Sequence, residues 1–140
     1  MFLHNVAIVL RTLQLYGQNA HNLTKGRSFF SDHEALSDFY VEAAESYDMV
    51  IERILGTEEK CDLVLIHEKT VATMKKLPHY VEDQKGMFNA LLSLEKELCS
   101  MVNSMDKSKL SEGTVQLVGE IANRSEARQY LIKRRLMCKE

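Results

Sequence analysis

Apolar residues recur along this chain at three- and four-residue steps, the spacing that lines one face of an α-helix. Leu3, Val6, Leu10, Leu13, Gly17 and His21 form the first stripe. They predict a helix over about residues 1–25, ended by Gly26 at a position where the backbone can turn left-handed. His21 thus falls on a buried face. Ser31 and Glu34 have the spacing of a capping box and predict that a second helix starts there and runs to about residue 55, with Gly56 as its stop. Leu36, Tyr40, Ala43, Ala44, Tyr47, Ile51 and Ile54 make its apolar sector. A shorter helical pattern spans residues 58–74, and Lys75, Lys76, Leu77 and Pro78 break it. Two further long helices are predicted over about 80–105 and 110–138, joined by a polar turn at 106–109. Phe88, Leu91, Leu92, Leu98, Cys99, Val102 and Met105 mark the core face of one; Val118, Ile121, Ala122, Ser125 and Ile132 mark that of the other. Four long helices with a short one in the middle connection predict an all-α four-helix bundle with a crossover between its two helix pairs.

Composition narrows the class without naming a function. A chain of 140 residues is long enough for one domain with a real core, here expected over 1–140. One Pro, six Gly and no Trp, with abundant Leu, Glu, Lys and Ala, suit an all-helical protein. A net charge of −2 gives no general attraction to nucleic acid or membrane. Cys61, Cys99 and Cys138 are odd in number and far apart, so reduced thiols are expected, some of them plain core residues. The first residues lack a basic leader and Arg11 interrupts their apolar run; with no stretch of transmembrane length, a cytoplasmic protein is expected.

Candidate chemistry concentrates in His21, His33, Asp48 and Glu52, at successive offsets of 12, 15 and 4 residues. Asp48 and Glu52 are one helical turn apart and share a face. Relative to His33, Ser37 lies at about 40°, Asp48 at about 60° and Glu52 at about 100° around the second helix, bordering its apolar sector. Mixed imidazole and carboxylate groups suit redox-active iron. Each residue also has a plainer reading. A single histidine on an apolar stripe is more often a hydrogen-bonded core residue than a ligand, and an acidic pair one turn apart is most often solvated or paired with a neighbour such as Arg53. The Glu-x-x-His motif of intrachain di-iron bundles is absent.

The stretch from His21 to Ile54, HNLTKGRSFFSDHEALSDFYVEAAESYDMVIERI, resembles the Dps family, the small cage-forming relatives of ferritin. The resemblance is carried by His21, Lys25-Gly26, Phe29-Phe30, His33 and the Asp48-to-Arg53 run, and more faintly by Gly113-Thr114 with Gly119-Glu120. It implies a ferritin-like fold and a twelve-subunit cage built from two-fold dimers. It also implies that His21 and His33 of one subunit face Asp48 and Glu52 of another. That site would bind ferrous iron and oxidise it, with hydrogen peroxide or oxygen as oxidant. The ferric product would be stored in the cage, which limits oxidative damage. Glu112 and Glu120 would line a pore in which Gln116 replaces a further acid.

Three departures from the family pattern bear on function. Ser37 stands where the family has an aspartate, and Asn22 where it has a tryptophan. The helical pattern also begins within the first residues, where many members carry a basic tail. These motivate an alternative, a Dps-like cage with impaired catalysis or a DNA-associated structural role. A helical interaction module unrelated to the family is a further rival. His4, His67 and His79 are expected at the surface or at caps. Lys133, Arg134, Arg135 and Lys139 are expected to complement the last helix dipole; DNA binding through them is possible but not favoured.

Overall fold

The stripes find one another. In the computed structural model, which describes residues 1–57, 59–79 and 84–137, five α-helices appear in order: α1 (Phe2–Leu23), α2 (Phe29–Gly56), α3 (Leu63–Met74), α4 (Gln84–Ser104) and α5 (Glu112–Leu136). A short 3₁₀ turn, Lys107–Lys109, sits between α4 and α5. The short turn at 24–28 folds α1 and α2 back along each other, and the 105–111 turn does the same for α4 and α5. Contacts of α1 with α4 and of α2 with α5 close the bundle, and α3 lies against α1. This is an all-α, ferritin-like four-helix bundle with its extra helix in the crossover.

The core is built where the apolar stripes meet. Val6 and Leu10 from α1, Leu36, Val50 and Ile54 from α2, Leu98 from α4, and Val118 and Ile132 from α5 are all essentially inaccessible to water. Gly17 is buried at the α1–α2 contact, where an added Cβ would stand 3.4 Å from the Tyr40 Cβ. A larger side chain there would push the two site-bearing helices apart. The expected left-handed turn is present, with Gly26 at φ 87°. α1 stops earlier than expected, at Leu23.

The predicted capping box does not form. Helix α2 begins at Phe29, and the Ser31 hydroxyl donates to the Ser28 carbonyl at 3.1 Å instead of capping. The helix is already under way at that point: the Asp32 amide donates to the Ser28 carbonyl at 2.9 Å, and Asp32 is buried in the first turn. Genuine caps occur elsewhere: the Asp62 side chain accepts from the Leu65 amide, and the Ser111 hydroxyl accepts from the Thr114 amide. The starts expected at residues 58 and 80, and Cys138 with Lys139, lie outside the described residues.

Candidate metal centre

His21 ends α1 and His33 begins α2, and the tight turn between them lays one ring on the other. Their centroids are 3.6 Å apart with an interplanar angle of 19°. Each Nδ1 faces the other residue's main-chain carbonyl: His21 Nδ1 to His33 O at 2.6 Å, and His33 Nδ1 to His21 O at 2.9 Å. A carbonyl only accepts, so both Nδ1 atoms carry the proton. That tautomer leaves both Nε2 lone pairs available to a metal, with the main chain orienting the rings. Phe29 stacks on His33 at 4.9 Å, and Tyr40 meets His21 edge-on at 5.4 Å. Both histidines are half-buried.

Asp48 and Glu52 are exposed on α2, one turn apart. Among the described residues neither forms an ion pair. Arg53 is turned away, donating from Nη1 to the Thr114 hydroxyl on α5 at 3.1 Å. The two carboxylates therefore stand unneutralised on an open face. They are remote from the histidines of their own chain: fifteen residues of straight helix separate His33 from Asp48 by about 22 Å. No cluster of three or more ligating groups occurs within the described residues of one chain. The four candidates thus fall into two separate pairs within one chain, and Ser37, half-buried one turn past His33, adds no charge beside the histidines.

The bundle interior, where an intrachain di-iron protein keeps its metal, is occupied otherwise. Arg128 of α5 is 4 % exposed and reaches Glu95 of α4, itself 2 % exposed, through Nε to Oε2 at 2.5 Å and Nη2 to Oε1 at 2.9 Å. Its Nη1 donates to Glu42 of α2, and the Ser125 hydroxyl donates to Glu95 Oε1 at 2.9 Å. Burial works hardest against the Arg128 charge, yet Glu95 and Glu42 together raise its pKa above the ordinary arginine value. The buried carboxylate of Glu95 is thus neutralised by the chain's own guanidinium. Glu95, Arg128 and Glu42 were not anticipated from the sequence, although Glu95 and Arg128 sit on the stripes 88-91-95-98-102 and 118-121-125-128-132.

Arg135 also departs from expectation. It does not decorate the C-terminus but forks onto Asp32, Nε to Oδ1 at 2.9 Å and Nη2 to Oδ2 at 3.0 Å. Gln84 donates to the same carboxylate and accepts from the Lys25 amide, so the turn carrying the histidine pair is tied to α4 and α5. Lys133 and Arg134 remain exposed. Cys61 and Cys99 are half-buried free thiols, and burial, then the nearby Asp62, pushes the Cys61 pKa up. His79 is exposed and faces the Leu77 carbonyl, whereas His4 is half-buried, with its Nε2 against the Lys60 carbonyl.

No protein-family model and no curated protein matches the sequence. Among solved structures the chain is similar to Dps92 from Deinococcus radiodurans, with a TM-score of 0.75 and 23% identity over 94% of this chain and 81% of that one. The chain has a Dps-like fold. The bundle carries His33 near the start of α2, with His21 stacked on it, and Asp48 and Glu52 toward the helix's other end. Among the described residues no helix is long and apolar enough to cross a membrane.

Proposed function

We propose that this protein is an iron-storing ferroxidase whose site forms between two copies of the chain. One observation carries the reading: the stacked imidazoles of His21 and His33 present Nε2 near the start of α2, and the unpaired carboxylates begin about 22 Å further along that helix, so a second chain is needed to bring the two pairs together. A two-fold dimer makes two such sites at once, and twelve chains would enclose a storage cavity. Asp48 and Glu52 offset the dehydration of a ferrous ion by charge, while His21 and His33 of the other copy add nitrogen ligands. With hydrogen peroxide as oxidant, two ferrous ions each give up one electron, the O–O bond breaks, and two protons complete two waters.

Anaerobic ferrous titration followed by peroxide tests the reading, together with light scattering. Rapid ferric absorbance from a particle of about twelve chains is expected; a stable monomer at micromolar concentration sinks it. Ser37 shapes the expected stoichiometry. The position served by His21, Asp48 and Glu52 keeps its affinity, whereas the one left with His33 and a share of Glu52 lacks an acid. One tightly bound ferrous ion per site is therefore expected, and Ser37→Asp raises the number toward two and speeds oxidation. Two equally tight ions in the unaltered protein would contradict this.

The half-buried Ser37 also supports a second reading, a cage that has lost efficient oxidation; ferrous binding without rapid ferric absorbance would identify it. DNA is not an expected partner. Phosphate contacts supply most non-specific affinity, and Arg135 is committed to Asp32, leaving Lys133 and Arg134 exposed in the described part of the C-terminal patch. No mobility shift is expected near physiological salt. A shift lost on replacing Lys133 and Arg134 with Gln would reverse that assignment.

A further inference from the structure

Phe30 stands 84% exposed in the first turn of α2, a large apolar surface left in water beside the histidine half-site. Val41, Met49 and Leu55 are about half exposed further along the same helix. Taking Asp48 as the origin, Phe30 lies at about 0°, Val41 at about 20°, Glu52 at about 40° and Leu55 at about −20°. Exposed apolar groups and the two carboxylates therefore share one face. About a quarter turn around α2 from that face, where the helix meets the start of α5, is an open groove of about 390 Å³ lined by Met49, Glu52, Arg53, Gly56, Thr57 and Leu117; on the same scale Gly56 lies at about 80°, Met49 at about 100° and Arg53 at about 140°.

We infer that Phe30 of one copy seats in this groove of a second copy and so closes the shared metal site. The inference rests on the proposed pairing of one chain's histidines with another's carboxylates. Two α2 helices related by a two-fold axis run antiparallel. Setting His33 opposite position 50, midway between Asp48 and Glu52, puts the axis between Val41 and Glu42. Phe30, three residues before His33, then falls opposite Arg53, three residues after that midpoint. The register demanded by the ligands thus brings the exposed ring level with the groove along α2, from where it reaches about a quarter turn around the partner helix, and sets the exposed Val41 near its own copy on the axis.

The contents of the groove suit an aromatic ring. A cavity of about 150 Å³ suffices to bind benzene. The Arg53 guanidinium, held by Thr114, offers a cation to a ring face, and Met49 and Leu117 supply sulfur and apolar contact. Charge runs the same way. Exposed Lys25 and Arg27 flank the aromatic end of the face, and exposed Asp48, Glu52 and Glu59 flank the groove end. Phe30 meets Phe29 edge-on at 5.4 Å, and Phe29 stacks on His33. Seating the ring in the partner therefore steadies His33 where the partner's Glu52 arrives.

The test replaces Phe30 with p-benzoylphenylalanine in the full chain, mixes isotopically light and heavy protein without metal, and irradiates. Mass spectrometry is expected to find light-to-heavy adducts on Met49, on residues 52–57 or on Leu117. Adducts elsewhere, or none, overturn the inference. In parallel, Phe30→Asp is expected to weaken dimerisation at least about thirtyfold, the effect of a central anchor residue, while Phe30→Tyr stays near the unaltered protein. Dimerisation unchanged in Phe30→Asp overturns it as well. Neither readout involves iron. A correct seat with no ferrous binding would therefore count against the iron reading alone, and ferrous oxidation with a vacant groove against the seat alone.

Discussion

Arg128→Ala is expected to lower stability by about 3–5 kcal/mol, the cost of leaving a buried charge without its partner. With the guanidinium gone, Glu95 keeps its place at 2 % exposure and Glu42 loses the ion that held it inward. A domain of this size has about 5–15 kcal/mol in all, so the variant sits near the edge of folding. Replacing both Arg128 and Glu95 with Met is expected to recover most of the loss, because apolar volume replaces the fully buried pair and Glu42, whose side chain is 36% exposed, can turn its charge to water. Urea titration followed by helical circular dichroism, at one fixed chain concentration since assembly adds its own stability, compares the variants. A double variant as unstable as Arg128→Ala would mean that the network matters for its shape rather than its charge.

Glu52→Ala is expected to slow ferric formation by more than about a hundredfold while the mass of the particle stays the same; even second-layer partners of metal ligands matter by 10–100-fold. Glu45→Ala is the control on the same helix. Glu45 is exposed and meets Arg124 at 3.7 Å, a surface pair of small energetic consequence. Stopped-flow absorbance after peroxide addition separates the two. Equal slowing in both would show that iron is drawn by general acidity and not by a defined site.

The helices and their order were legible because apolar periodicity is the quantity that decides them, and here it is uninterrupted for several turns at a time. What escaped notice were the polar residues set inside the same stripes. Asp32, Glu95 and Arg128 occupy positions as inward as Leu36, Leu98 and Ile132, but they were passed over as polar. Reading position before polarity would have found them, since an acid and a base on two facing core stripes are each other's natural partners. The capping box fails because α2 is already helical at Ser31, two residues after its start at Phe29. That His21 and His33 lie together was implied by the family resemblance, and the turn at 24–28 is what brings the two helix ends into contact. That each ring would be held by the other's carbonyl was not readable, because it depends on the main-chain path of the turn. The distance from His33 to Asp48 follows from helix rise alone.

The mutual carbonyl contacts of His21 and His33 also bear on how genetics at this site will read. Each is braced by the main chain of the residue whose ring it covers. Removing one imidazole takes away a stacking surface, yet the remaining ring keeps its hydrogen bond, because the carbonyl that orients it is main chain and survives the substitution. The two rings are therefore coupled through their stack and not through their mounts. His21→Ala and His33→Ala are expected to depart from additivity by no more than one ring–ring contact. The aim of either ring is written into the path of the turn, whatever side chain stands opposite.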